Sequence, residues 1–394
     1  MGEEQRRKDI KQDFRARFGE DPVLWAQAPG RVDLMGSHTD YNLGFVLTLA
    51  IDRNVWLAVQ PREDQKIQIC SRQVEGCGVF SLDDISYHQE LPWTNYIGGV
   101  AAMFMNAGYP VSGFNGLIDS TIPIGSGLSS SAALEVSTAV VLNHLDNLEI
   151  DPVEMALLCQ QAENEFVGLN VGILDQYTSL MGEAGKVLLL DCRDNSSINK
   201  SLAEGIQIVI CDTRAERELT GSEYAERRHQ CEEGVEILRQ EDPTIRSLRD
   251  ATIDLLRIMQ AEMPPTVFQR CKFIVEENRR VLKISEAIKA GNRNRIAKLT
   301  SDSFHGARDL YEIISPEMEY MMQAMIQAPG VIGARQAGAG FGGCMVAVVE
   351  SESAEAFQKS AAQHYKKLSG IQPEIYPVQA SPGAGILEGR DADD

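Results

Sequence analysis

Thr121-Ile-Pro-Ile-Gly-Ser-Gly-Leu-Ser-Ser-Ser-Ala-Ala-Leu-Glu135 is the stretch whose reading decides the fold. It begins as the end of an apolar strand, turns through two glycines and continues as a long apolar helix. Gly125 and Gly127 accept backbone angles that a side chain resists, so the chain can wrap closely around a ligand. Ser129 has the chemistry of an N-cap, and the helix start behind it leaves unpaired N–H groups facing outward. Such an end attracts anions, phosphate above all. A tight turn before a capped helix would also use these glycines. Three consecutive serines, Ser129, Ser130 and Ser131, supply more hydroxyls than one cap needs, and the stretch therefore reads as a loop for nucleotide phosphate.

The chain has 394 residues, enough for two to three domains of ordinary size. At 43% hydrophobic and 24% charged it has the composition of a soluble globular protein. A formal net charge of -20 argues against nucleic acid or an anionic membrane as partner, because both need a basic face. It does not argue against ATP, which backbone N–H groups can hold locally. No apolar run is long enough to span a bilayer, and the charged N-terminus MGEEQRRKDIKQDF lacks a signal-peptide core. A cytoplasmic location follows as the expectation. None of the eight cysteines forms a CxxC pair, so reduced, buried thiols are expected.

Along the chain, residues 5–18 read as a helix closed by Gly19, and Phe45 to Leu82 as several antiparallel strands. Residues 93–107 read as helix and 113–122 as a strand entering the glycine loop. Asp151 caps a helix stopped at Gly168, and Val171-Gly-Ile-Leu-Asp-Gln-Tyr177 opens another. Lys186–Cys192 and Ile206–Asp212 have the pattern of buried strands. Ser222 to about Gln327 is almost all helical, followed by a strand CMVAVVE, a helix over 353–369 and a strand over 373–379. The acidic end, EGRDADD, has a disordered composition. Early strands and late helices point to an α+β fold of two lobes. The polar stretch 194–205 marks the boundary, giving lobes of 1–195 and 196–394, with the active site in the cleft between them and the last strand able to return to the first lobe.

Familiar phosphate motifs fail. No GxxxxGKS or GxxxxGKT occurs. Gly338, Gly340 and Gly343 match GxGxxG, but a strand follows that stretch instead of preceding it. The six histidines form no metal-ligand cluster. Three separated segments remain: the phosphate loop, the polar run Arg31–Asn42, and residues 338–343 with four glycines in six positions. The polar run fits a solvated hairpin loop as well as a binding segment, and the glycines fit a flexible turn as well as a backbone passing close to a ligand. Among the carboxylates, Asp175 stands in an apolar setting that is unusual for a charge without a partner, and Arg31 is a plausible partner. Glu163 is singled out with it, although it sits in an otherwise ordinary amphipathic helix.

Together these segments resemble the three motifs of the GHMP small-molecule kinases, and within them the galactokinase family. GRVDLMGSHTDYN is similar to that family's GRVNLIGEHTDYN signature. PIGSGLSSSAALEV is similar to its ATP motif and GARQAGAGFGGC to its third motif. WTNYIGGV, QQAENEFVGLNVGILDQYTSLMG and SEYAERRHQCEE extend the likeness over nearly the whole chain.

The resemblance implies transfer of the γ-phosphoryl group of ATP, with Mg²⁺, to the anomeric hydroxyl of a sugar. It implies that Gly125, Ser126, Gly127, Leu128, Ser129, Ser130 and Ser131 cradle the phosphates and that Ser131 and Glu163 hold Mg²⁺. Trp93 and Tyr96 match adenine-pocket positions, and Ser71 matches a nucleotide contact more loosely. Asp175 matches the proposed catalytic base and Arg31 the cation beside it. Ser37, His38, Thr39, Asp40, Gly172 and Tyr224 fall at sugar-binding positions. Three departures bear on the sugar. Ser37 replaces the Glu that contacts the C6 hydroxyl, Asp33 replaces Asn, and Leu174 replaces Met. Losing one such hydrogen bond costs on the order of 0.5–3 kcal/mol. Galactose is the expected substrate, with L-arabinose or another galacto-configured sugar as the alternative. A non-catalytic sensor of sugar or nucleotide on the same fold is the rival class. Kinase activity on mevalonate or homoserine conflicts with GSHTDYN and SEYAERRHQC. The expected partners are a small sugar and ATP, in a monomer or weak homo-oligomer.

Overall fold

The computed structural model describes residues 2–123, 125–215 and 222–388. The acidic end expected to be disordered lies, from residue 389 onward, outside the described residues. The N-terminal half runs α1 (Glu3–Phe18), β1 (Leu24–Met35), β2 (Phe45–Pro61), β3 (Lys66–Ser71), β4 (Cys77–Ser81), α2 (Asn95–Asn106), β5 (Phe114–Ser120), α3 (Ser130–Leu145) and α4 (Pro152–Gln161). A π-helical segment, Ala162–Val167, continues α4. Then come α5 (Leu174–Met181), β6 (Lys186–Asp191), β7 (Ser196–Ser201), β8 (Ile206–Asp212), α6 (Ser222–Glu241), α7 (Ile253–Ile258), α8 (Pro265–Lys289), α9 (Arg293–Gly306) and α10 (Pro316–Ile326). The chain closes with β9 (Val331–Gln336), β10 (Cys344–Glu350), α11 (Ala354–Ser369), β11 (Glu374–Val378) and β12 (Gly385–Ile386).

The architecture is α+β, built on two sheets. The first has the order β12-β1-β2-β5-β3-β4, with β6 joined to β2 and β7 to β6. Its described pairings are antiparallel except that of β3 with β5. The second sheet has the order β11-β8-β10-β9 and is antiparallel throughout. α3 is buried along nearly its whole length, from Ala132 to Leu142, as a helix that is apolar on every side must be. It packs on β1 and β2 and between α2 and α5, which fixes its N-terminus against β1.

Three expectations are corrected. The polar stretch 194–205 contains a strand, β7, whose alternating exposure suits the solvent edge of a sheet. The strand expected over 373–379 pairs with β8 in the second sheet, and the return to the first sheet is made by β12 instead. Cys70 and Cys77 stand opposite each other on β3 and β4 and form a disulfide, while the other six cysteines are free and buried. Cross-strand register brings two cysteines together at a spacing that no local motif announces.

A buried charge network joins the two sheets. Arg335 on β9 and Glu277 on α8 are both 0% exposed. Arg335 Nη2 donates to Ser37 Oγ (2.8 Å) and Glu277 Oε1 (3.2 Å), and its Nε donates to Ser303 Oγ on α9 (3.1 Å). Asp33 Oδ2 on β1 lies 3.7 Å from Arg335 Nη1. Arg280 Nε donates to Glu277 Oε2 (2.7 Å), so two guanidiniums balance two carboxylates. Burial alone would raise the Glu277 carboxyl, but Arg280 and Arg335 hold it below its usual range. Removing one member of such a set leaves a charge in a dry interior. Arg335→Met is therefore expected to cost about 3–5 kcal/mol in urea unfolding, and a loss below about 1 kcal/mol would deny the network its structural role.

Candidate active site

β1 carries the first functional side chains, and its irregularities aim them. The register with β2 slips between Pro29 and Arg31 and again between Asp33 and Met35. Such bulges turn side chains away from simple alternation. Gly30 sits at the first slip, where a Cβ would lie 2.6 Å from the carbonyl oxygen of Leu128. The missing side chain lets the phosphate loop rest directly on β1. Arg31 then ties that loop down: its N–H donates to Leu128 O (3.1 Å) and its Nη1 to Gly127 O (2.9 Å). Gly125 and Gly127 adopt φ of +75° and +79°, as the loop requires.

The same guanidinium grips Asp175 in the first turn of α5. Arg31 Nε donates to Asp175 Oδ1 and Nη2 to Oδ2, each at 2.7 Å. This two-pronged, charge-assisted geometry fixes both planes. Ser129 departs from its expected capping role. Its φ is +59°, its side chain makes no cap bond to α3, and its Oγ donates to Asp175 Oδ2 instead. The N–H groups at the start of α3 are thus left uncapped by that hydroxyl.

A cavity of about 810 Å³ opens beside Asp175. Arg31, Ser37, His38, Asp40, Gly172, Asp175 and Tyr224 all line it, so most of the expected sugar-side residues come together. Arg228, His229 and Glu232 from α6, and Gly338 and Ala339 from the third glycine segment, complete the wall. Gly172 is needed there, because a Cβ would fall 2.2 Å from Asp40 Oδ2. Burial, with Asp175 and Asp33 nearby, pushes the Asp40 carboxyl up to about 6.

Ser37 is spoken for within the protein. Its Oγ donates to Asp33 Oδ2 (3.0 Å) and accepts from Arg335. His38 is similarly engaged. Its Nε2 meets Ala339 O at 2.8 Å and its Nδ1 meets Tyr41 OH at 2.9 Å. A carbonyl can only accept, so the proton sits on Nε2 and Tyr41 donates to Nδ1. Burial pushes the His38 imidazole down to about 4, with Arg227 and Arg335 adding to the effect. Thr39 is fully buried outside the cavity wall, with its Oγ1 2.6 Å from Gly36 O and 2.7 Å from Phe45 O.

On the other side of Asp175, Glu163 lies in the π-helical segment and is 5% exposed. The Ser131 hydroxyl bonds its carboxylate, and burial followed by the Asp175 charge pushes it up to about 7. Gln176 Nε2 also donates to it, at 2.7 Å. Ser71, Trp93 and Tyr96 lie outside the cavity. Ser71 Oγ accepts from the N–H of Gln73 (3.1 Å) and Val74 (3.3 Å), and the two aromatic residues flank the start of α2, packed on the main core. The sequence reading passed over Arg335, Glu277, Glu135 and Gln176. Glu135 had the same signal as Asp175, an acid within an apolar run; Arg335 had none beyond lying in a quoted motif.

Comparison with known proteins bears on this geometry. Residues 12–61 match the family described as galactokinase galactose-binding signature, 95–183 the GHMP kinases N terminal domain and 284–367 the GHMP kinases C terminal. A galactokinase of Roseiflexus sp. is 40% identical over 377 residues, 96% of each chain. One from Chloroflexus aggregans is 39% identical over 373 residues, 95% of each. The crystal structure of Lactococcus lactis galactokinase complexed with galactose superposes with a TM-score of 0.92 at 33% identity, covering 96% of this chain and 99% of that one. Methanococcus jannaschii mevalonate kinase shares the fold alone, with a TM-score of 0.64 at 18% identity over 91% of this chain and 98% of that one.

His38 gives this site a measurable pH signature. The unfolded imidazole protonates below about pH 6.5, whereas the folded one stays neutral. Its stabilisation is complete above that value and is lost as pH falls toward about 4, on the order of 3 kcal/mol in all. The urea stability of the protein relative to His38→Gln should therefore shrink on going from about pH 7 to about pH 4.5. A pH-independent difference would rule the shift out.

Proposed function

The chain belongs to the galactokinase family of the GHMP kinases, and we propose that it transfers the γ-phosphoryl group of ATP to the C1 hydroxyl of galactose. The observation that carries this reading is the meeting at Asp175: the acid holds Arg31 and Ser129 while its helix borders the sugar cavity. Phosphoryl transfer asks mainly for positioning and charge neutralisation, and this cluster offers both between a phosphate loop and a sugar pocket. Asp175 is the group that accepts or orients the C1 hydroxyl proton. Arg31 neutralises charge on the transferring phosphoryl group while keeping the loop on β1. Gly125 to Ser131 provide the phosphate cradle, with Trp93, Tyr96 and Ser71 on the nucleotide side. Ser37, His38, Thr39, Asp40, Gly172 and Tyr224 form the sugar side, some through the wall they build rather than by direct contact.

The residues also suit Mg²⁺. Ser131 and Glu163 present hard oxygen donors bonded to one another at the head of α3, and a small cation of this kind takes few protein ligands. When bound there, the ion supplies charge neutralisation on the nucleotide phosphates. The net charge of -20 disfavours nucleic acid as partner, and no described helix is long and apolar enough to cross a membrane.

Asp175→Asn tests the central assignment. The coupled release of ADP with galactose should fall by about 10²–10⁴-fold, the usual worth of a placed proton acceptor. ATP binding by calorimetry should change little, and normal turnover by the variant would remove Asp175 from its role. Ser37→Glu tests the sugar wall. It sets a second carboxylate beside Asp33 with Arg335 shared between them, so KM for galactose should rise about tenfold while KM for ATP holds. Adding Asp33→Asn should recover most of the loss; no recovery would mean that the two positions do not share Arg335.

A further inference from the structure

Glu135 and Gln176 take no part in the mechanism above, yet both side chains are 0% exposed beside it. Gln176 follows Asp175 on α5, and the helix turns it about 100° away from Arg31. It reaches instead toward α3 and the π-helical segment. Its Nε2 donates to Glu163 Oε2 at 2.7 Å and to Glu135 Oε2 at 2.8 Å. An amide nitrogen has two protons, so both are used. The amide cannot flip without turning its oxygen onto two carboxylates. Gln176 is thus fixed by Glu135, and in turn it fixes one oxygen of Glu163. The Ser131 hydroxyl bonds that same carboxylate.

We propose that Gln176 is a positioning residue that holds the Glu163 carboxylate, braced against Glu135, in the orientation that takes Mg²⁺ with Ser131. The inference rests on reading Ser131 and Glu163 as the metal ligands. It also makes two neighbouring residues of one helix, Asp175 and Gln176, set the acceptor side and the metal side of the site together. Residues that orient a metal ligand without touching the metal typically matter by about 10–100-fold in metal affinity.

The test reads binding rather than turnover. Calorimetry measures the affinity for β,γ-imido-ATP with and without Mn²⁺, and the ratio gives the metal's enhancement. In Gln176→Met the enhancement should fall about tenfold or more, while metal-free nucleotide binding and galactose binding stay within about twofold. Glu135→Gln keeps an oxygen for the amide to bond and should retain the enhancement within about threefold. Should the methionine variant fail to fold, Gln176→Asn withdraws the amide by one methylene and should show the same loss. An unchanged enhancement in the folded Gln176 variant, alongside loss in Glu163→Gln, would overturn the positioning role alone. An unchanged enhancement in Glu163→Gln would overturn the metal-ligand reading beneath it.

Discussion

One guanidinium organises the site. The contact between Arg31 and Asp175 spans 144 residues of sequence and brings the first strand to the fifth helix. Arg31 spends its remaining hydrogen-bonding capacity on the backbone of the phosphate loop. Loop, acid and strand are therefore held by one planar group whose donors point in fixed directions. The features around it serve that placement: the bulges of β1, the bare Gly30 and the burial of α3. An arginine is the residue for this task, since an ammonium could not hold two carboxylate oxygens and a carbonyl in one plane.

A second ionic cluster lies under the sugar wall and does a different job. Arg335, Arg280, Glu277 and Asp33 are buried together, which is tolerable because the charges balance and their hydrogen bonds are largely made inside the set. In the family pattern the carboxylate stands at position 37 and an amide at 33. Here the carboxylate is at Asp33 and a hydroxyl at Ser37, and Arg335 reaches both. The local charge has moved by one turn of the wall rather than vanished. The backbone of the segment can keep its course, because the guanidinium behind it still meets an anion.

Much of this was legible in the residues, and the limits have physical causes. Ile206–Asp212 and Cys344–Glu350 were plain because an apolar run of that length, bounded by polar residues, has few other fates. The partners of those strands were not, since pairing is decided by distant segments. β12 is two residues long and carries no pattern at all. Asp175 announced itself as an acid in apolar company, and its partner was correctly sought in Arg31. Ser129 misled because a serine before a helix is chemically a cap, and only the left-handed backbone at that point frees its hydroxyl for Asp175. Gln176 was hidden by its neighbour: an amide draws little notice until the two acids it bridges are seen beside it.

The short π-helical stretch from Ala162 to Val167 has a consequence of its own. An α-helix repeats its bonding at every residue, whereas one wider turn offsets everything beyond it by part of a rotation. Glu163 owes its heading to that offset as well as to its identity. Position along this segment is thus written in chain length, so losing or gaining a single residue here would swing the carboxylate off α3 even with every functional side chain retained. Variation among related chains should accordingly be freer in the letters of this segment than in their number.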